Sequence, residues 1–142
     1  MDRNYNNIEL IGDILPYLTN SYLVLILEKN QKRIFVKDFF KNVVKINTIK
    51  TITNKKRPVN NTYGKKKRIK IIPTPRFGKG SFPSAHTCNM LFPTIFYKKY
   101  KGSKIKYYIL LMLTLFTAYS RVKSHNHYIS DIYGAVLISY YL

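Results

Sequence analysis

The apolar residues of this chain recur at helical spacing, in blocks that a single long basic stretch divides, and no block alternates as a strand would. Ile8–Leu27 reads as a first apolar helix, kinked at Pro16. Ile34, Phe35, Val36, Phe39, Phe40, Val43, Val44 and Ile46, with Lys between them, predict a second helix from about Gln31 to near Thr53. From Lys55 to Gly80 the composition changes. Pro58, Gly64, Lys65–Arg68, Pro73, Pro75, Gly78 and Gly80 make this a long basic loop. A third helix opens at Pro83-Ser84, where Ser84 is able to cap it, and runs through Tyr97 with a kink at Pro93. Lys104–Tyr119 is the fourth. The polar turn Val122–Asn126 leads into a fifth that starts at His127 or Tyr128. The expected fold is all-α, a compact bundle of about five helices, and 142 residues are expected to form one domain.

Charge narrows the partners. The chain carries 25 Lys and Arg against 6 Asp and Glu, a formal +19, and so suits an anionic partner: nucleic acid, a phosphorylated substrate or an acidic membrane face. Part of that excess is what the Lys-, Asn-, Ile- and Tyr-rich composition alone would give. A hydrophobic fraction of 46% excludes a disordered chain. The one cysteine, Cys88, excludes an internal disulfide and a thiolate metal cluster, and reads as a small apolar helix residue. No carboxylate cluster is present to hold Mg²⁺ or Zn²⁺, so no metal and no other cofactor is expected. Asp2 and Glu9 interrupt the N-terminus, which does not read as a signal peptide. The longest uncharged runs, Ile14–Leu27 and Tyr107–Ser120, each fall short of the roughly 20 residues that cross a bilayer core. Lys106 and Arg121 flank the second run as snorkelling residues would, and tyrosines cluster near segment ends.

Beyond Asp38 the only carboxylate is Asp131, and it stands four residues after His127. On a helix the two share a face, so the carboxylate can hold one ring nitrogen protonated and leave the other free to attack. Ser120-Arg121 precedes this pair. Lys50 and Arg57-Pro58 lie upstream, and Pro83-Ser84-Ala85-His86 lies between. Lys50, Arg57 and Arg121 supply cations, two of them guanidinium forks suited to phosphate. Ser84 and the N–H groups of Ala85 and His86 would form an anion site at a helix N-terminus. A histidine can attack phosphorus, and a second can protonate the leaving oxygen.

In this order the three segments resemble the signature of the type 2 phosphatidic acid phosphatase and vanadium haloperoxidase superfamily. The resemblance covers about residues 50–131. It implies that His127 is the nucleophile, Asp131 its orienting carboxylate and His86 the general acid. It also implies that Lys50, Arg57, Ser84, Ala85 and Arg121 bind phosphate. The implied activity is metal-independent hydrolysis of a phosphate monoester or diphosphate, of a lipid, in an integral multi-helix membrane protein. Two features depart from the family pattern. Ala85 stands where glycine is usual, a strain only if that residue needs positive φ and harmless if it begins a helix. The membrane members also typically have six helices, and this chain reads as five. His125 fits no position of the pattern and reads as a loop residue. A basic nucleic-acid-binding helical protein is the alternative from another class, but it leaves the His127–Asp131 spacing unexplained. A membrane protein that keeps the fold without catalysis is a further alternative.

Overall fold

A computed structural model describes residues 7–58, 80–100 and 103–141. These form five helices and no strand: α1 (Asn7–Ile26), α2 (Lys29–Thr53), α3 (Ala85–Tyr100), α4 (Lys104–Lys123) and α5 (Ile129–Tyr141). The basic run Lys65–Arg68 and most of the expected loop lie outside the described residues. Helix α3 is the central element, packed against each of the other four. Its sequence dictates this, because buried residues fall all around it: Thr87, Cys88, Met90, Leu91, Pro93, Thr94, Phe96 and Tyr97.

The apolar core sits at one end of the bundle. Leu23, Leu27, Phe35, Phe96, Tyr97 and Leu110 form it, with Phe92 and Tyr100 packed against them. Phe35 meets Phe96 edge to face with ring centroids 4.9 Å apart. A smaller cluster, Ile46, Cys88 and Ala135, joins α2, α3 and α5 nearer the other end.

Between them the helices are joined by polar groups. Thr94 and Thr114 share a hydroxyl hydrogen bond of 3.0 Å across α3 and α4. Pro93 lies within α3, which continues through it. Having no N–H, Pro93 leaves the Asn89 carbonyl without its intrahelical donor. The Asn20 amide of α1 fills that vacancy, donating to the Asn89 oxygen at 2.9 Å. The Pro93 break is thus converted into a tie between two helices. Where α1 crosses α4, only glycine fits: a Cβ on Gly12 would lie 1.8 Å from Ser120 Oγ and 3.1 Å from the Arg121 guanidinium.

The helix boundaries fall close to those expected, with α5 starting at Ile129. The connection before it is a C-terminal cap in which His125 takes a left-handed conformation, φ 54. The His125 N–H donates to the Val122 carbonyl at 2.9 Å and the Asn126 N–H to the Arg121 carbonyl at 3.0 Å, the Schellman pattern.

Helix α4 is turned inside out relative to a water-soluble bundle, and α5 too has an apolar outer face. Helix α4 buries Thr114, Thr117, Ser120 and Arg121 and exposes Ile105, Ile109, Met112, Leu115 and Tyr119. Helix α5 exposes Tyr133, Leu137 and Tyr141. Even so, among the described residues no helix is long and apolar enough to cross a membrane. The expected membrane spans therefore find no support in the helices themselves. Lys104, Lys106, Arg121 and Lys123 charge both ends of α4, lysines run through α2, and the 13 residues of α5 are too few.

Two stability changes follow from these contacts. Gly12→Ala is expected to destabilise the protein by about 1–3 kcal/mol, because the new methyl must displace Ser120 and Arg121 from a packed interface. His125→Gly, which removes a Cβ from a left-handed residue, is expected to stabilise by about 0.5–1 kcal/mol. Denaturant midpoints measured with an unchanged m-value check both.

Candidate active site

The site lies at the end of the bundle where α2 finishes and α3 and α5 begin. Segment 80–84 returns beside the end of α2: the Ser81 N–H donates to the Lys55 carbonyl at 2.7 Å, and Thr53 donates to the Phe82 carbonyl at 3.0 Å. This brings the start of α3 over Lys50, whose buried ammonium donates to the Gly80 carbonyl at 2.9 Å. Burial, and then the neighbouring Arg57 charge, lower the Lys50 pKa to about 8. Ser84 is fully buried just before Ala85, the first residue of α3. Ala85 is not among the positive-φ residues, so alanine causes no strain there. The N–H groups of Ala85 and His86 belong to the first turn, where a helix has no acceptors of its own.

Asp131 ties these pieces together. Its side chain is wholly buried. One carboxylate oxygen accepts from Lys55 at 2.7 Å, the other from the Tyr128 N–H at 2.9 Å, and its main-chain oxygen accepts from the Ser84 N–H at 3.1 Å. Burial pushes the Asp131 pKa up, but interactions with His127, Lys55, the Tyr128 amide and Ser81 outweigh it and hold the carboxyl well below its usual range. His127 Nδ1 stands 3.6 Å from Asp131 Oδ2. That is longer than a hydrogen bond, so the ring is aimed at the carboxylate without being locked to it. Burial lowers the His127 pKa to about 4, with Arg57 and Lys50 adding to the effect and Asp131 opposing it.

Arg121 is buried at the end of α4, and each of its three nitrogens has a partner, which occupies three of its five N–H donors. Its Nε donates to Ser120 Oγ at 3.2 Å and one terminal nitrogen to the Glu9 carbonyl at 2.8 Å. The other terminal nitrogen binds the Asp13 carboxylate. His86 is partly exposed and places Nε2 3.3 Å from the same Asp13 oxygen. Burial pushes its pKa well below 6.5, as do the charges of Arg121, His127, Arg57 and Lys50. All four therefore bear on one imidazole, and the structure brings Lys50, Arg57, Ser84, Ala85, His86, Arg121, His127 and Asp131 into one neighbourhood. His125 is exposed and serves the turn.

The profile of the PAP2 superfamily matches residues 34–142. This chain belongs to the PAP2 superfamily. No curated protein and no solved structure matches it. PAP2 proteins are generally phosphatases, which makes this chain a phosphatase-like enzyme. The matched range begins inside α2, so the PAP2 profile does not reach α1, the helix that supplies Asp13 and Glu9. Among the described residues of this PAP2 protein, no group of three or more His, Cys, Asp and Glu side chains is placed to hold a metal ion.

Two residues of this neighbourhood escape sequence reasoning. Lys55 is one lysine among many, with no local pattern to mark it. Asp13 stands in an apolar helix more than a hundred positions before Arg121, and its only sequence signal is that acidic residues are scarce.

The His127 environment predicts an acid-sensitive fold. The unfolded chain takes up the proton near pH 6.5, whereas the folded protein refuses it down to about 4. The stability His127 confers is thus fully present above pH 6.5 and is lost as pH falls towards 4, by roughly 3 kcal/mol at most. Denaturant midpoints followed across that window should fall less steeply in His127→Gln than in the wild type. His86 titrates in the same direction and retains part of the slope.

Proposed function

We propose that this PAP2 protein hydrolyses a phosphate monoester or diphosphate of a lipid through a phosphohistidine intermediate, without a metal ion. The observation that carries this reading is a buried histidine, neutral at pH 7, beside a fixed carboxylate and among Lys50, Arg57 and Arg121. A neutral imidazole is the form that attacks phosphorus.

In this mechanism Lys50, Arg57, Arg121 and Ser84 hold the non-bridging oxygens, and Asp131 orients His127 through Nδ1. The free Nε2 of His127 forms the bond to phosphorus. The bond to the leaving oxygen breaks with its electron pair, and His86 gives that oxygen a proton. Neutral His86 then takes a proton from water, whose oxygen attacks the phosphohistidine. Inorganic phosphate leaves and His127 is restored. Catalysis of this kind depends on charge placed around the transferring group. In the free protein burial, and then the surrounding cations, depress the His86 pKa. A bound phosphate anion counters them and raises its proton affinity. The exposed apolar faces of α4 and α5 favour a substrate with acyl chains, met at a membrane face, over a soluble ester.

Phosphate release from detergent-dispersed lipid phosphates tests this reading. Release is expected to persist in EDTA and to be blocked by vanadate, which imitates the five-coordinate transition state. Loss on chelation, restored by Mg²⁺, would contradict it. For nitrophenyl phosphate, whose leaving group needs no acid, the kcat/KM profile should fall below about pH 4, where His127 gains its proton, and above about pH 8, where Lys50 loses its charge. His127→Ala should be inactive on every ester. His86→Ala should lose roughly a hundredfold or more on alkyl phosphates and far less on nitrophenyl phosphate, whose leaving group needs no acid.

A further inference from the structure

We propose that Asp13, on the helix outside the PAP2 match, is the counterion and positioning residue of His86. The site is then built from two facing histidine–carboxylate pairs, His127 with Asp131 and His86 with Asp13. This rests on the reading of His86 as the proton donor to the leaving oxygen.

Geometry supports the pairing. A single Asp13 oxygen bridges His86 Nε2, at 3.3 Å, and the Arg121 guanidinium. Arg121 cannot turn away, because its remaining bonds run to Ser120 Oγ and the Glu9 carbonyl and its side chain is only 3% exposed. Helix α1 cannot slide, because Gly12 is pressed against Ser120 and the Glu9 carboxylate accepts from the Asn126 amide at 2.8 Å. The Asp13 oxygen is thus delivered to one place by the docking of α1. Tyr17, one turn further along α1, meets the His86 ring edge to face at 6.4 Å. Two residues of the same helix face therefore fix that ring.

Charge explains why a carboxylate is needed there. The groups facing His86 are Lys50 of α2, Arg57 just beyond it, Arg121 of α4, His127 before α5, and Asp13 with Tyr17 of α1. Among the described residues Asp13 is the carboxylate in contact with this ring. An imidazolium surrounded by these cations is unfavourable without a negative partner. When the leaving oxygen takes the bond pair from phosphorus and the proton from His86, Asp13 keeps the ring in place and leaves it neutral, ready to accept a proton from water.

The test is Asp13→Asn and Asp13→Ser in the full chain, with Asp13→Glu as the conservative rescue. The chain has three histidines, so ¹⁵N-histidine NMR with His86→Gln identifies the His86 signals directly. With inorganic vanadate bound, the His86 midpoint should fall by about one pH unit or more in Asp13→Asn and Asp13→Ser and recover in Asp13→Glu. The kcat for an alkyl phosphate should fall roughly tenfold or more, and that for nitrophenyl phosphate much less. An unchanged midpoint in both uncharged variants would overturn the proposal, as would equal losses on the two esters. If the wild type releases no phosphate from any ester, the hydrolase reading fails, and the His86 midpoint still decides the role of Asp13.

Discussion

A single buried aspartate organises this protein. Asp131 has no solvent contact, yet it engages Lys55, the Tyr128 N–H and the Ser84 N–H, and faces His127. Those partners come from the end of α2, the turn before α5 and the start of α3. Removing one partner of a buried, hydrogen-bonded charge leaves the other uncompensated and costs several kcal/mol. The three segments are therefore held in register by Asp131, its carboxylate tying the end of α2 to the turn before α5 and its main-chain oxygen holding the start of α3.

The opposite end of the bundle is organised by aromatic packing around Phe35, and the middle by threonine and asparagine bonds between helices. The outward faces of α4 and α5 are apolar, while the inward face of α4 carries hydroxyls and Arg121. This inversion is the reason we propose a lipid substrate, whose phosphate would be drawn to the buried polar centre while its chains stay in an apolar medium.

Much of this is readable from residue order alone. Helical periodicity locates the five helices, and Lys50, Arg57, Ser84, His86, Arg121, His127 and Asp131 stand in one neighbourhood, as the resemblance of their three segments to one family pattern implies. Ala85 begins a helix, so its departure from glycine has no consequence for the backbone. What escapes is whatever depends on distant pairing. Asn20 matters because Pro93 strips the Asn89 carbonyl of its donor, and nothing near Asn20 announces this. Lys55 is hidden by composition. Asp13 gains its meaning only when Gly12 lets α1 lie directly against Ser120. The left-handed His125 is hidden too, because histidine is not the residue a helix cap advertises.

The most direct test of the account is to trap the covalent intermediate. Wild-type protein mixed with a lipid phosphate, quenched in alkali and digested, should yield a peptide whose phosphate is acid-labile and maps by mass spectrometry to His127. The adduct should accumulate in His86→Ala supplied with a nitrophenyl ester, because the acid for the first step is then dispensable while the base for the second is missing. It should be absent from His127→Ala. A phosphate on Ser84, on Asp13 or on no residue during active turnover would contradict the assignment of His127 as nucleophile.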